Sequence, residues 1–305
     1  MILATVCKLV LALGAGYYLN KRGIFTAEVN QKISWFVINI CMPLVILTSL
    51  EQADGSVSKA LLIKYILTGA VIYAALPFIG RILNVIFRIR KEDRIVYEQF
   101  YIFSNNLFMG YPISASIYGS GCIFQLSVFN LGFNLLYFTY GIGSICRAKG
   151  GGGEKFSFRT LLNTGTVASL CAILMFFTGL HLPAQVSEIF SFLGELSSPL
   201  SMVVIGSTIG TYSIRNVLTY DYKIYLVAAI RLLFFPVAAY VLMTALGFEG
   251  LLRGVAVISL GMPVASMVSM GCIEQNYQEE LASAGVILTT LLSLPVIPVM
   301  LTVLS

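Results

Sequence analysis

Charge is what this sequence has least of. Lys and Arg number 19 and Asp and Glu 14 in 305 residues, so charged side chains make up 11% of the chain. A soluble domain carries about 25%, and a soluble globular protein is therefore excluded. Histidine is almost absent. The one residue, His181, precedes Leu182-Pro183 at the end of an apolar run; a lone loop histidine is a poor metal ligand, and His-Glu-x-x-His does not occur. The cysteines Cys7, Cys41, Cys122, Cys146, Cys171 and Cys272 include no Cys-x-x-Cys pair and mostly fall in apolar segments, which reads as small packing residues. No Gly-x-Ser-x-Gly elbow is present. The chain thus has no signature of an enzyme, and no cofactor or metal is expected. The glycine run Gly150–Gly153, followed by Glu154-Lys155, lacks the Walker spacing and reads as a flexible linker. The net charge of +5 is spread through short connections instead of forming one patch, which argues against a nucleic-acid partner.

What is there is apolar. Hydrophobic residues make up 58% of the chain and the mean hydropathy is +0.89, the composition of an all-α polytopic membrane protein whose first partner is the lipid bilayer. The run from Met1 to Leu19 has no basic leader, which makes it a first span instead of a signal peptide. Ten spans of roughly 20 residues fit, near 2–19, 31–50, 60–82, 94–118, 122–145, 160–180, 184–210, 222–246, 250–272 and 281–304.

Basic residues orient them. Lys21, Arg22 and Lys32, then Arg88, Arg90, Lys91 and Arg94, then Arg147, Lys149, Lys155 and Arg159, then Arg215 and Lys223 fall in alternate connections, against Lys59, Lys64 and Arg253 in the others. The richer set should be cytoplasmic, with both termini extracytoplasmic.

The linker at 147–158 separates two similar halves, 1–146 and 159–305. Pro43 answers Pro199, Pro77 answers Pro236, and Gly110-Tyr-Pro112 answers Gly261-Met-Pro263, at offsets of 156, 159 and 151 residues. Prolines are common in membrane helices, yet three in the same order suggest a five-span unit used twice. Five being odd, the second copy enters the membrane inverted.

The stretch Ser104-Asn-Asn-Leu-Phe-Met-Gly-Tyr-Pro112 interrupts the fourth span and Gly261-Met-Pro263 the ninth. Proline removes an N–H and glycine lets the chain unwind, so each helix should break at its Gly-x-Pro. The half-helix ends are then expected near Phe108 and Leu260, with new N-termini near Ile113 and Val264. Broken backbone at membrane depth is tolerated only where it is buried in protein or lines water. Paired broken helices crossing at the bilayer midplane are a transporter architecture, with N-termini that favour an anion. The expected contacts are Asn105, Asn106, Gly110, Tyr111 and Pro112 in one break and Gly261, Met262 and Pro263 in the other. The asparagines could instead only satisfy freed backbone groups. Asn130, Asn134 and Tyr137 share one face of the fifth span, as a lining stripe or as helix-to-helix glue.

Two charges lie deep in spans, Glu195 in the seventh and Arg231 in the eighth, and are candidates for coupling. The alternatives are a structural hydrogen bond for Glu195 and snorkelling or an ion pair for Arg231. Glu98 is shallower and is expected to pair with Arg94 at i,i+4.

The segments Asn39-Ile-Cys-Met-Pro43-Leu44, Asn106-Leu-Phe-Met-Gly110-Tyr-Pro112, Ser198-Pro199-Leu200-Ser-Met-Val-Val-Ile-Gly206 and Gly261-Met-Pro263 resemble the motifs of the auxin efflux carrier family, the bacterial relatives of plant PIN proteins. The similarity runs over essentially the whole chain. The resemblance implies ten spans in two inverted five-helix repeats, with spans four and nine crossing. It also implies a scaffold of spans one, two, six and seven beside a moving part made of the rest, and it adds Asn39 to the candidate site. The implied function is a secondary carrier for a small organic anion, with malate, malonate or auxin-like carboxylates as family substrates, working by alternating access in the cytoplasmic membrane. An anion channel or passive facilitator on the same pathway is the alternative. The coupling ion is open between H+ and Na+, and a homodimer is admitted. Two departures stand out: the cytoplasmic loop is only about a dozen residues, against a long one in plant members, and the sixth span begins Asn163-Thr-Gly-Thr166 where the family commonly has Asn-Pro.

Overall fold

The structure is a computed structural model that describes residues 2–52, 57–148 and 163–304. The glycine-rich linker expected at 147–158, apart from its first two residues, and the expected start of the sixth span lie outside these. Among the described residues every regular element is helical, and the one β-type pairing is an isolated antiparallel bridge between Ser104 and Val264.

Among the described residues six helices are long and apolar enough to cross a membrane: Ala27–Gln52, Lys59–Ile86, Cys122–Ala148, Ala184–Thr211, Tyr222–Ala245 and Glu279–Val299. Thr164–Thr178 and Gly250–Gly261 are shorter apolar helices. Ile2–Lys21, Arg94–Ile102, Tyr111–Tyr118 and Ser266–Glu274 are further helices within the stretches where spans are expected. Leu67, Val71, Phe78, Ile82 and Val85 recur at near-helical spacing along Lys59–Ile86 and are all exposed, as a lipid-facing surface requires. Asn163 caps Thr164–Thr178 by accepting from the Thr166 N–H at 2.9 Å, so this Asn-Thr start works as an N-cap without the proline.

The prolines are accommodated in a recurring way. Three five-residue π-helical turns, Val37–Cys41, Asn106–Gly110 and Ile230–Phe234, each end two residues before a proline, Pro43, Pro112 and Pro236. In an α-helix the ring would strike the carbonyl four residues back, here Asn39, Phe108 or Leu232. Each of these lies inside the widened turn, which gives the ring room. Gly110-Tyr-Pro112 is therefore not where the fourth span breaks. Gly110 has helical backbone angles (φ −61°, ψ −48°) and Pro112 sits in the first turn of Tyr111–Tyr118. The break comes earlier, at Phe103–Asn105, after the helix Arg94–Ile102 ends. The expected half-helix ends at Phe108 and Ile113 are corrected accordingly. The second break falls where expected, between Gly261 and Ser266.

The chain forms two compact units, each drawing on both halves of the sequence. The first comprises 1–65, 106–128 and 163–214. Its best-packed pair is Ile2–Lys21 with Ser197–Thr211, where Gly16 lies on the Val203 carbonyl and Gly206 on the Leu13 carbonyl so closely that neither position has room for a Cβ. Backbones approach this closely only across small residues. At one end of the pair Lys21 Nζ donates to the Gly210 carbonyl at 2.7 Å, while elsewhere in the unit His181 Nδ1 meets Glu51 Oε2 at 3.0 Å. The second unit comprises 66–105, 129–162 and 215–305 and contains both breaks. Cys41, Cys122, Cys146 and Cys272 are buried, as packing residues should be, whereas Cys7 and Cys171 are exposed on apolar helices and do not fit that expectation.

Candidate functional site

Ser104, Asn105 and Asn106 are residue types whose side chains compete with the backbone for hydrogen bonds, which weakens a helix. Here the helix stops at Ile102 with Phe103 extended, and helix resumes only at Asn106. Their backbone groups pair with the second break: the Asn105 N–H donates to the Pro263 carbonyl at 2.8 Å, and the Ala265 N–H donates to the Phe103 carbonyl at 3.0 Å. The Val264 N–H donates to Thr289 Oγ1 at 3.1 Å, from a third helix. Two interrupted helices thus satisfy each other's freed groups, which is what buried irregular backbone demands.

Arg231 closes this arrangement. It sits in the π-turn Ile230–Phe234 with 0% of its surface exposed. Its Nε donates to the Met262 carbonyl at 3.0 Å and Nη1 to the Phe100 and Tyr101 carbonyls at 2.7 and 2.9 Å. Nη2 donates to Ser104 Oγ. The three carbonyls belong to the final turns of the helices that end at Ile102 and Gly261, where intrahelical partners run out. Aromatic rings pack beside the first break, with Phe103 edge-on to Phe133 and Tyr137 at centroid distances of 5.4 and 5.1 Å. The Tyr137 hydroxyl donates to the Met267 carbonyl at 2.7 Å, fixing the helix that follows the second break. Asn130 accepts from the Tyr73 hydroxyl at 2.8 Å. Ala265 gives the helix Ser266–Glu274 no side-chain cap.

The expected site residues therefore divide. Asn105, Asn130, Asn134, Tyr137, Arg231, Gly261, Met262 and Pro263 lie in the second unit, and all but the half-buried Asn134 are buried there. Asn39, Asn106, Gly110, Tyr111, Pro112 and Glu195 belong to the first. Asn39 donates to the Trp35 carbonyl at 2.9 Å and accepts from Thr164 Oγ1 at 3.2 Å. Glu195 is the last residue of the helix Ala184–Glu195 and is exposed.

The model of a family described as membrane transport protein matches residues 1–150 and 153–301. The chain belongs to that family, the auxin efflux carriers. It is also similar to an uncharacterized transporter of Methanothermobacter thermautotrophicus, 27% identical over 302 residues, covering 96% of this chain and 95% of the relative. A second uncharacterized transporter, from Methanocaldococcus jannaschii, is 22% identical over 292 residues, with 92% of each chain covered. This auxin efflux carrier family member is thus a multi-pass membrane transporter and not an enzyme.

Sequence reasoning about the transporter missed Ser104, Thr289, Tyr73 and Phe103. Ser104 had a signal, since Ser-Asn-Asn is itself a helix-weakening run; Thr289 and Tyr73 act through hydrogen bonds to residues distant in sequence, and Phe103 through ring packing. Glu98 needs correction. It does not pair with Arg94, whose Nε turns back to the Ile89 carbonyl at 3.2 Å. The buried Glu98 instead meets Arg81 Nε at 3.3 Å and accepts from the Tyr140 hydroxyl. Two neighbouring helices supply its partners, Arg81 from Lys59–Ile86 and Tyr140 from Tyr137–Gly141. This trio lines an open cavity of about 730 Å³ together with Lys91, Arg147 and Tyr277. Beside it, in the connection at 87–93, Asp93 next to Arg90 (2.9 Å) pushes the guanidinium pKa further up.

Proposed function

We propose that this transporter is a carrier that moves a small organic anion, a carboxylate, across the cytoplasmic membrane by alternating access, with its substrate site at the paired breaks. In this reading the chain has ten spans in two inverted five-helix repeats, and the fourth and ninth spans cross at their breaks near the midplane. The observation that carries it is the pairing of Phe103–Asn105 with Met262–Ala265. Irregular backbone that two helices surrender to each other marks a transport site in membrane proteins, because nothing else repays its cost in hydrocarbon. The anion follows from the helix beginning at Ser266, whose first-turn N–H groups carry partial positive charge and have no side-chain cap from Ala265. Asn105 supplies a neutral amide beside it. The site is built within the second unit. Asn39, Asn106, Gly110, Tyr111 and Pro112 are assigned to shaping the first unit.

Basic residues of the second unit support the orientation. Lys223 Nζ donates to the Arg88 carbonyl at 3.0 Å, and Arg81, Lys91 and Arg147 line one cavity, so the cationic connections gather at one end. That end is the cytoplasmic one in this reading, with both termini opposite.

A thermal-shift screen of the purified transporter against mono- and dicarboxylates tests the substrate class. A ligand of the folded state raises the melting temperature by mass action. The reading expects such a rise with at least one carboxylate and none with organic cations of similar size. A rise only with cations or neutral solutes refutes it.

A further inference from the structure

The oxygens around Arg231 are of a kind that proteins use to hold a metal cation. Three are backbone carbonyls from the ends of two interrupted helices, at 2.7 to 3.0 Å from the guanidinium nitrogens, and the fourth is the Ser104 hydroxyl. In transporters with interrupted helices, half-helix C-terminal ends and unwound carbonyls are where a coupling Na+ is coordinated. Each helix C-terminus carries roughly half a negative charge. Two of them together match about one positive charge, and Arg231 delivers one from a neighbouring helix.

We propose that the Arg231 guanidinium is a built-in cation that fills this oxygen cage permanently, so that the carrier binds its substrate without Na+ at the paired breaks. The inference rests on the carrier reading only in speaking of a substrate; the cage and its occupant stand on the contacts alone. Arginine suits this role because its planar fork reaches several acceptors at once and its charge persists across physiological pH. Complete burial excludes snorkelling, and the ligands among the described residues are neutral oxygens instead of a carboxylate. The guanidinium cancels the negative ends of the helices that enter the breaks. The positive end of the helix that leaves the second break at Ser266 is then the uncompensated one. A tethered cation also does not leave the site during the transport cycle, unlike a coupling ion. Its tether is the π-turn, which offsets the Arg231 side chain from ordinary helical register.

The test is the melting temperature of the purified full-length protein in NaCl against choline chloride at equal ionic strength, for the wild type, Arg231→Ala and Arg231→Lys. A Na+ site with ion in hundredfold excess over its dissociation constant would raise the melting temperature by several degrees. The expected result is no difference for the wild type. Arg231→Ala is expected to melt lower, and to recover part of the loss in NaCl or in millimolar guanidinium chloride but not in choline chloride. Arg231→Lys, which keeps a tethered cation, should melt between the two and ignore Na+. A rise of several degrees in wild-type stability with Na+ overturns the proposal, as does an Arg231→Ala protein that folds and responds to neither cation. If Arg231→Ala does not fold, the wild-type and Lys arms decide. None of these readouts involves transport, so their failure is separate from failure of the carrier reading.

Discussion

Two helix junctions in this protein are built by opposite means. In the first unit, Ile2–Lys21 and Ser197–Thr211 meet glycine to backbone at Gly16 and Gly206, with both helices regular throughout. In the second unit, the helices ending at Ile102 and Gly261 are interrupted, and they are joined by four backbone groups and one buried arginine. The first junction is stabilised by dispersion at close range, which falls off within an ångström of separation. The second relies on hydrogen bonds to a charge in a low-dielectric setting, each stronger than a neutral bond. A junction of the first kind cannot slide without overlap, whereas one of the second kind can exchange partners with a ligand. In the proposed carrier the first would serve as a rigid support and the second as the substrate site.

The comparison can be broken at either end. The largest effect is expected from Arg231→Met, which keeps volume and removes the charge. Leaving the Phe100, Tyr101 and Met262 carbonyls without a donor should cost about 1–3 kcal/mol for each group that stays unpaired, less the desolvation cost that removing the buried charge recovers. Chemical denaturation measures the loss, and any carboxylate-induced rise in melting temperature should disappear with it. Gly206→Leu comes next. The new side chain overlaps the Leu13 backbone, and overpacking of this kind costs about 1–3 kcal/mol. Here the melting temperature should fall while the carboxylate-induced rise survives, because the damage stays in the first unit. If both variants lose the ligand response, the division of labour between the junctions is wrong.

Asn105→Ala sharpens the site itself. A hydrogen bond to a charged group contributes roughly 1.5–3 kcal/mol, so carboxylate affinity should fall about 10- to 100-fold. Normal affinity in a folded variant would leave Asn105 to the backbone. Glu195→Gln should have the smallest effect on stability of these variants, since Gln keeps the size of the side chain and the residue is not enclosed by packing. Coupling through Glu195 would show separately as a flattened pH dependence of uptake. An unchanged pH profile removes it from the coupling path.

Much of the helical layout was legible, because hydrocarbon allows few alternatives to a run of about 20 apolar residues. The existence of both breaks was legible too, but the position of the first was misjudged. Gly110-Tyr-Pro112 looked like the stop signal, and a π-turn precedes the proline; the helix breaks instead at Phe103–Asn105, at the start of the Ser-Asn-Asn run. Proline rules assume an α-helical turn ahead of the ring, and no local pattern announces that the turn will widen. Arg231 was recognisable as deep and unusual, yet its partners are carbonyls from distant segments, which carry no side-chain signature. Glu98 likewise found its partners on other helices, although these are the side chains of Arg81 and Tyr140. Long-range partners decided the polar contacts, while local chemistry decided the helices.

The carrier reading is tested most directly by counterflow. Proteoliposomes are loaded with the unlabelled carboxylate that gives the largest thermal shift, then diluted into a trace of the same compound carrying a radiolabel. A carrier that alternates access around one site will accumulate label transiently above its equilibrium level and then lose it. Label that only rises to equilibrium, at a rate insensitive to the unlabelled pool, would contradict alternating access and leave an open anion pathway.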